Sequence, residues 1–339
     1  MAPFTHRRHL GDGFSGRVEL EYDEGLNRLC ATKYITNTGF ALNDLSEAQL
    51  MELGKHDNVV QVYSAEIEGT TPVIRMEYLE QGSVAAKYGR DAVPVLEALQ
   101  IMEAACRGVE HIHRIGLLHR DIKPANLLLH PLHTVKVSDF GLACDSLDVG
   151  SGAITPYRPH LPPESFIDGT KAITQVTGDV YALALTTYRL INGDRVVRPK
   201  LDARVPLPIA KDWKPHVHKS LRGAVTKALN SDPRKRTQSA REFRHALEKA
   251  RPIVSWREAL PDAHSPSELR VWFGSAVDGT DWRARVVGSA NTSVKFGVER
   301  RLHGKRWRAQ NNDNLTAASL PEVLAFAAEV LQRIAVSGT

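Results

Sequence analysis

The sequence contains few cysteines, and they are poorly placed for any structural crosslink. Cys30, Cys106 and Cys144 are far apart, odd in number and form no C-x-x-C pair, which argues against a disulfide framework or a structural zinc site. The sequence also lacks an apolar run of the roughly 20 residues that a membrane-spanning helix needs. The basic N-terminus has no apolar segment behind it, unlike a secretory signal. These absences predict a cytoplasmic protein in a reducing compartment.

The charge of the chain is only mildly unbalanced. Lys and Arg number 44 against 39 Asp and Glu, which gives a formal net charge of +5 over 339 residues. An excess of this size is typical of a solvated surface and is weak support for a nucleic-acid partner. The apolar and charged fractions, 42% and 24%, are those of ordinary globular domains. The length predicts two domains.

The most informative stretch is H-R-D-I-K-P-A-N at positions 119–126, followed by D-F-G at 139–141. The two aspartates, Asp121 and Asp139, lie 18 residues apart, so two carboxylates and an amide are presented on neighbouring loops. Such an arrangement can hold divalent metal on nucleotide phosphates and leave one Asp to accept a hydroxyl proton. Both runs, in this order, resemble those of the eukaryotic-like Ser/Thr protein kinases.

A glycine-rich stretch near the N-terminus fits the same family. Residues 11–18 read G-D-G-F-S-G-R-V and match G-x-G-x-x-G-x-V. Glycine lets the backbone approach phosphates and take up positive φ without Cβ strain. The residues after it alternate like a strand and end in a turn at 23–25, so a hairpin over a nucleotide fits. The strand–helix cradle of a dinucleotide fold does not fit.

The resemblance covers about residues 4–250 and implies a two-lobed fold of the α+β class. A small β-rich N-lobe would span 1–79 and a helical C-lobe 80–251. ATP and Mg²⁺ are the cofactors that the resemblance implies. Lys123 follows the catalytic Asp by two residues, as in the Ser/Thr-directed members, so the implied substrate is a protein Ser or Thr.

By resemblance, the central motifs also imply individual roles. Asp121 would accept or orient the substrate hydroxyl proton, and Lys123 would neutralise the γ-phosphate. Asn126 and Asp139 would hold magnesium. Arg120, beside the catalytic Asp, implies a cation next to the activation segment.

The resemblance also implies the nucleotide site. Lys33, in a strand at 29–35, would bind the α- and β-phosphates and pair with a Glu of helix C. Glu47 is favoured by its interval of nine residues before the H-D-N-V-V run at 56–60, and Glu52 is the alternative. The ATP-binding residues implied are Gly11, Gly13, Gly16, Val18, Ala31, Lys33, Met76, Glu77, Leu79 and Leu128.

Other matches to the family are structural. Asp179 would anchor the catalytic-loop backbone, and Arg236 would pair with Glu164 of the P-P-E run that stands for A-P-E. The chain departs from the family just before that run, because Tyr157 occupies the usual Thr position and Thr155 lies two residues too early.

The segment 142–164 is rich in Gly, Ser, Pro and Thr and should be mobile. Self-phosphorylation is predicted there, at Thr155 or Ser151, because Arg120 supplies a cation. His111 and His113, in the helix predicted at 94–115, are interpreted as structural because no carboxylate or cysteine lies at metal-ligand spacing.

The chain beyond the kinase resemblance predicts a linker at 252–266 and a small α+β recognition or regulatory domain at 267–339. A capping box with Pro in the first turn predicts a helix from Ser319. Its apolar stripe would pack on the sheet. The predicted strands are 269–274, 282–288, 293–302 and 305–310.

A basic cluster in this domain leaves its partner open. Basic residues interleaved with an aromatic can bind nucleic acid, and an acidic protein is the other candidate partner. The alternative without a binding role is a charged hairpin face with Trp307 in the core. The cluster consists of Lys295, Arg300, Arg301, Lys305, Arg306 and Arg308, with Trp307 among them.

Taken as a whole, the sequence predicts an ATP- and Mg²⁺-dependent Ser/Thr protein kinase with an appended regulatory domain. The alternatives are a pseudokinase or scaffold that binds nucleotide and acts through the tail, and a nucleic-acid-sensing kinase. A kinase with a small appended domain, and without an apolar run that could span a membrane, suits a bacterial signalling kinase or a kinase of a toxin–antitoxin or defence module. A homodimer is compatible with the sequence.

Overall fold

The computed structural model describes residues 4–13, 16–36, 55–131, 134–139, 160–167, 175–260, 267–288 and 293–339. Across these residues, no helix combines the length and the apolar character needed to cross a membrane.

The N-terminal part of the chain folds into a five-stranded antiparallel sheet in the order β1-β2-β3-β5-β4. Gly13 and Gly16 face each other where β1 meets β2. A Cβ at Gly16 would lie 1.9 Å from Tyr34 O, so this close approach requires glycine. The predicted glycine hairpin is confirmed. The strands are β1 Phe4–Gly13, β2 Gly16–Asp23, β3 Arg28–Ile35, β4 Val62–Glu68 and β5 Thr71–Glu77.

A helical region follows, with one short hairpin, β6 Leu127–His130 and β7 Thr134–Val137. Its longest helix packs against two other helices and against β7, which explains why it buries apolar residues on more than one face, as predicted. The helices are α1 Val84–Tyr88, α2 Val95–Arg114, α3 Glu164–Ile167, α4 Val176–Asn192, α5 Asp194–Asp202, α6 Lys219–Ala228 and α7 Ala240–Lys249.

Helix α2 approaches the chain before β4 so closely that glycine is required at position 108. A Cβ on Gly108 would lie 2.3 Å from Asn58 O and 2.9 Å from Val137 Cγ2. Asn58 is itself fixed, because its Nδ2 donates to Val135 O at 2.9 Å and its Oδ1 accepts from Arg107 Nε at 3.1 Å. This contact ties the N-terminal sheet to the helical region.

The C-terminal residues form a second antiparallel sheet, in the order β12-β11-β10-β9-β8, with β13 also paired to β11. Helix α8, Leu320–Ser337, packs on one face of it. The core between them is aromatic, with Trp256, Trp272, Trp282 and Phe296 all buried. The strands are β8 Val254–Ala259, β9 Glu268–Ala276, β10 Asp281–Val287, β11 Val294–Arg301, β12 Arg308–Ala309 and β13 Leu315–Ala317.

The predicted linker at 252–266 is wrong for its first half, because Val254–Ala259 forms the edge strand β8. Val254 and Trp256 alternate inwards, and Trp256 Nε1 donates to Leu331 O at 3.0 Å. The prolines around this short strand hide its period-2 pattern. The strand predicted at 305–310 is reduced to Arg308–Ala309.

Two finer predictions for this region are also corrected. Ser319 is the N-cap of α8, but its side chain makes no capping hydrogen bond. Trp307 is half-buried rather than in the core. Its ring lies under the guanidinium groups of Arg283 and Arg301, at 4.8 and 4.6 Å from the ring centroid. Two cations on an aromatic face can stabilise this position outside the core.

The second sheet and α8 contact the helical region through polar side chains. Lys214 Nζ lies 3.3 Å from Glu258 Oε2 of β8, and Gln332 Nε2 of α8 donates to Pro215 O at 3.0 Å. In the connection between α7 and β8, Arg251 Nε donates to Glu103 Oε1 at 2.8 Å. Glu103, in α2, is 1% exposed, so Arg251 provides the charge that a buried carboxylate needs.

Candidate active site

Three of the predicted catalytic residues come together in the loop after α2. Lys123 Nζ lies 2.6 Å from Asp121 Oδ2, and Asn126 Nδ2 donates to the same oxygen at 2.9 Å. Asn126 Nδ2 also donates to the main-chain oxygen of Asp121 at 2.8 Å. Because Asp121 engages the amide nitrogen of Asn126, the amide oxygen is the atom that can serve as a metal ligand.

Asp179, in the first turn of α4, holds the main chain of this loop. Its Oδ2 accepts from His119 N at 2.8 Å and its Oδ1 accepts from Arg120 N at 2.9 Å. His113 Nε2 lies 2.8 Å from Oδ2. Burial is the largest single effect and would raise the pKa of Asp179, but the hydrogen bond with His113, the nearby imidazoles and the hydrogen bond from Arg120 N together lower that pKa. The anchoring role predicted for Asp179 is confirmed, and His113 takes part in it.

The ring of His119 links the loop to the end of β7. Its Nε2 lies 3.0 Å from Ser138 O, and its Nδ1 accepts from Asp121 N at 3.2 Å. A neutral ring with the proton on Nε2 satisfies both bonds. The imidazole therefore supports the position of Asp121 without touching its carboxylate.

Lys33, in β3, and Asp139, after β7, form an ion pair. Lys33 is 5% exposed, and its Nζ contacts Asp139 Oδ1. Burial alone would raise the pKa of Asp139, but the Lys33 ammonium lowers it. Burial does raise the pKa of Asp121, although the Lys123 ammonium opposes this. The two carboxylates thus differ: Asp139 stays charged, and Asp121 binds a proton more readily.

Two non-glycine residues at the site have a left-handed backbone. Arg120 and Asp139 both have a φ of 66°, a conformation that costs about 1–3 kcal/mol and persists only where the surroundings enforce it. The bond from Arg120 N to Asp179 and the ion pair of Asp139 with Lys33 provide that enforcement. Such strain is concentrated at functional sites.

The predicted adenine walls lie on the strands next to Lys33. Val18 is opposite Lys33 in the pairing of β2 with β3, and Ala31 is opposite Met76 in the pairing of β3 with β5. Ala31 is buried. Gly11 and Gly16 belong to the hairpin formed by β1 and β2, as does Gly13.

The chain after β5 carries the other predicted nucleotide residues. The carboxylate of Glu77 lies 2.7 Å from Lys136 Nζ, and its main-chain nitrogen donates to Gln61 O at 2.9 Å. Leu79 is buried. Leu128, in β6, pairs with Ser83 through an isolated bridge. The start of α1 and the β6–β7 hairpin therefore meet next to the chain that follows β5.

The family profile described as "Protein kinase domain" matches residues 4–248. The chain belongs to the protein kinase family. The serine/threonine-protein kinase PrkC of Bacillus subtilis (strain 168) is 30% identical over 70% of this kinase and 38% of its own length. The serine/threonine-protein kinase PknB of Mycobacterium leprae (strain TN) is 30% identical over 72% and 43% respectively. The serine/threonine-protein kinase PknJ of Mycobacterium tuberculosis (strain ATCC 25618 / H37Rv) is 26% identical over 85% and 52%.

This kinase spans about two fifths of the length of PrkC and PknB. Its N-terminal sheet and helical region are the two lobes of the kinase fold, as the sequence predicts. The part of the kinase that matches the family carries both the loop at 119–126 and Asp139.

Several predicted kinase residues lie outside the residues that the structure describes. The partner of Lys33 in helix C, Glu47 or Glu52, is among them and stays a prediction. The same holds for the rest of the D-F-G run and for Tyr157. The predicted phosphorylation sites, Thr155 and Ser151, also lie outside.

The ion pair predicted between Glu164 and Arg236 of the kinase is confirmed. Arg236 Nη1 and Nη2 donate to the two carboxylate oxygens at 2.7 and 2.8 Å. The side chain of Arg236 is completely buried. It also donates to Asn230 O and Thr177 O, both at 2.9 Å, so all three guanidinium nitrogens donate hydrogen bonds.

A buried network beside the kinase loop has no counterpart in the sequence predictions. Arg189, in α4, contacts His160 Nε2 through Nη1 and donates through Nε to Asp194 Oδ1 at 2.8 Å. Burial and the charge of Arg189 hold the pKa of His160 well below its ordinary value. A neutral ring can accept a hydrogen bond from the guanidinium. Residues 160 and 189 share no spacing signal, so only the fold reveals this contact.

Proposed function

We propose that this chain is an ATP- and Mg²⁺-dependent Ser/Thr protein kinase. The observation that carries the proposal is the constellation around Asp121: its carboxylate is held by Lys123 and Asn126, and the Lys33–Asp139 pair lies close enough that the charge of Asp139 acts on Asp121. Kinase catalysis consists largely of positioning and charge neutralisation. This arrangement supplies both.

The donor set suits magnesium. Within the described residues, no group of three or more His, Cys, Asp or Glu side chains could hold a metal by itself. Magnesium in kinases is held instead by one or two protein oxygens together with phosphates and water. The Asn126 amide oxygen and the ionised Asp139 carboxylate are such ligands.

Each residue has a distinct task in the proposed reaction. The Asp121 carboxylate accepts the proton of a Ser or Thr hydroxyl, and Lys123, next to it, stabilises negative charge on the transferred group. Lys33 orients the nucleotide phosphates. When bound, ATP and Mg²⁺ supply the phosphoryl group and the cationic charge that neutralises it.

Intact-mass spectrometry after incubation with Mg²⁺ and ATP tests the proposal. We expect the wild-type chain to gain phosphate and Asp121→Asn to gain none. Asp91→Asn is the control, because the ion pair of Asp91 with Arg195 is exposed. Nucleotide binding without mass gain in wild type would favour the pseudokinase alternative instead.

We also propose that self-phosphorylation falls in the activation segment, at Thr155 or Ser151. The support is the sequence alone: this segment contains Ser and Thr and follows, along the chain, a loop that contains Arg120, a cation that could pair with a phosphate. Phosphopeptide mapping should find phosphate between residues 144 and 157. Phosphate found only elsewhere in the chain would refute this assignment.

For the C-terminal domain we propose a recognition or regulatory role. One arginine of the basic cluster and two arginines of the adjacent strand β10 are paired within the domain, which weakens the case for nucleic acid as its partner. Arg283 and Arg285 pair with Glu299, and Arg301 pairs with Asp281. Filter binding of the full chain to DNA and RNA at low salt tests this, and salt-dependent affinity would restore the nucleic-acid alternative.

A further inference from the structure

One end of the C-terminal domain presents two neighbouring turns, one between β9 and β10 and one after β11. Asp281, at the start of β10, pairs with Arg301, at the end of β11, so both turns lie at the same end of the sheet. A Cβ on Gly279 of the first turn would lie 4.0 Å from His303 Cβ of the second. Residues 277–280 and 302–308 therefore form one continuous surface, called here the turn surface.

Each turn exposes an aliphatic side chain, although polar residues, glycine and proline dominate turns. Val277 is 92% exposed and Leu302 is 51% exposed. Main-chain hydrogen bonds close both turns, from Gly279 N to Ala276 O at 3.1 Å and from Lys305 N to Leu302 O at 2.9 Å. An ordered main chain thus holds two aliphatic groups in water, and their transfer to an apolar medium would be favourable.

The second turn and β12 add cations that the domain does not neutralise. Lys305, Arg306 and Arg308 are all exposed. Among the described residues, none of these three side chains has an ion pair or a hydrogen bond. They are therefore available to an anionic partner.

The carboxylates next to the turn surface have interactions of their own. Asp281 pairs with Arg301 at 2.7 Å. Asp278 accepts from Thr280 N at 2.9 Å, and the charge of Arg300 acts on it. The turn surface therefore keeps a net positive charge beside its aliphatic groups.

The docking of the domain on the helical region leaves this surface accessible. The strand that contacts the helical region is β8, through Glu258 with Lys214 and through packing on α2. It forms one edge of the sheet, and β12 forms the opposite edge. The cations of the second turn and of β12 thus lie on the side away from the kinase lobes.

We propose that the turn surface binds an anionic membrane surface. Val277 and Leu302 would enter the boundary between headgroups and acyl chains, and the three unpaired cations would contact lipid phosphates. Aliphatic groups next to basic ones are the combination that interfacial membrane contacts use. The surface lies beyond residues 4–248, which match the kinase profile. The proposal thus gives the recognition role of the C-terminal domain a partner and does not depend on kinase activity.

The same residues fit a nucleic acid less well. A phosphate backbone would use the cations, but it offers nothing apolar to the projecting Val277 and Leu302. Aromatic rings that bind single strands stack on bases, whereas the Trp307 ring already contacts the guanidinium groups of Arg283 and Arg301.

Flotation of the full chain with lipid vesicles tests the proposal. The anionic vesicles are phosphatidylcholine with about 30% phosphatidylglycerol, and pure phosphatidylcholine vesicles are the neutral comparison. We expect wild type to float with the anionic vesicles only, and less so as salt is added. Each cation near such a surface contributes about fivefold to binding, so Lys305→Gln, Arg306→Gln and Arg308→Gln together should weaken it by about 100-fold.

A second triple variant is the matched control for net charge. Lys211→Gln, Lys219→Gln and Lys235→Gln remove the same charge from exposed positions of the helical region, and binding should stay within about twofold because distant charges are screened. Val277→Ser with Leu302→Ser keeps every charge and should weaken binding at least about tenfold, because the aliphatic groups no longer enter the membrane.

Four results would overturn the proposal. They are no flotation of wild type with anionic vesicles, equal flotation with neutral vesicles, an equal loss in the control triple, and full binding by the folded Val277→Ser, Leu302→Ser variant. Thermal unfolding checks that each variant folds, and if the turn triple does not, Arg306→Gln alone decides, with an expected loss of about fivefold. Salt-dependent binding to DNA or RNA without vesicle binding would assign the surface to nucleic acid instead.

Discussion

The anchor at Asp179 leads to the sharpest prediction about the catalytic loop. Asp179→Asn keeps one amide oxygen and replaces the other carboxylate oxygen with an NH₂ group. The carboxylate accepts from both His119 N and Arg120 N, so one of these buried N–H groups would then face another donor. The shape of the side chain is almost unchanged, and the result reports on hydrogen bonding and charge.

The expected cost follows from the bonds that are lost. A hydrogen bond to a charged group contributes about 1.5–3 kcal/mol, and a buried donor left unsatisfied costs about 1–3 kcal/mol. Because the two terms overlap, we expect about 2–4 kcal/mol of local destabilisation. At about 1.4 kcal/mol per factor of ten, amide exchange in the loop should accelerate by about 30-fold to about 700-fold.

Hydrogen–deuterium exchange of a peptide covering residues 117–126 measures this directly. Asp91→Asn is the matched control, because the Asp91–Arg195 pair is exposed and such pairs contribute about 0–1 kcal/mol. Kinase activity should fall with the loss of protection. Equal exchange in wild type and Asp179→Asn would refute the reasoning, since it would mean that the carboxylate does not hold the loop.

Three further predictions concern other parts of the kinase. Gly108→Ala should destabilise the fold by about 1–3 kcal/mol, because its Cβ would meet Asn58 O. Gly223→Ala, in the exposed part of α6 with nothing within 4 Å, should instead stabilise the fold by about 0.5–1 kcal/mol. Thermal unfolding of the two variants measures both effects. Removing Glu164 alone should cost about 3–5 kcal/mol, because it strands the fully buried Arg236 guanidinium. The double change Glu164→Leu with Arg236→Met should cost clearly less than the sum of the two single changes in chemical denaturation. Lys123→Met should move the acid limb of the pH–activity profile to higher pH. Burial already raises the pKa of Asp121 and the Lys123 ammonium opposes that shift, so loss of the ammonium raises the pKa further. Lys87→Met, at an exposed pair, should leave the limb in place.

The motifs around Asp121 were predictable because each is a short run whose chemistry depends on neighbouring residues. The glycine hairpin, the buried helix α2 and the Glu164–Arg236 pair follow from the same local signals together with family order. The strand β8 was not predictable, since six residues with two inward side chains give too short a pattern between prolines. The contact of His160 with Arg189 joins positions without any periodic relation. The position of Trp307 was not predictable either, because the sequence does not show that the guanidinium groups of residues 283 and 301 lie on its ring.

The short connection between α7 and β8 has a consequence for how the two parts of the chain stay together. Helix α7 ends at Lys249 and β8 begins at Val254, so the C-terminal domain is tethered within a few residues of its contact on the helical lobe. A tether this short corresponds to an effective concentration in the millimolar range or above. Contacts as modest as Lys214 with Glu258 and Gln332 with Pro215 O therefore suffice to keep the domain docked, although the same surfaces on separate chains would associate only weakly.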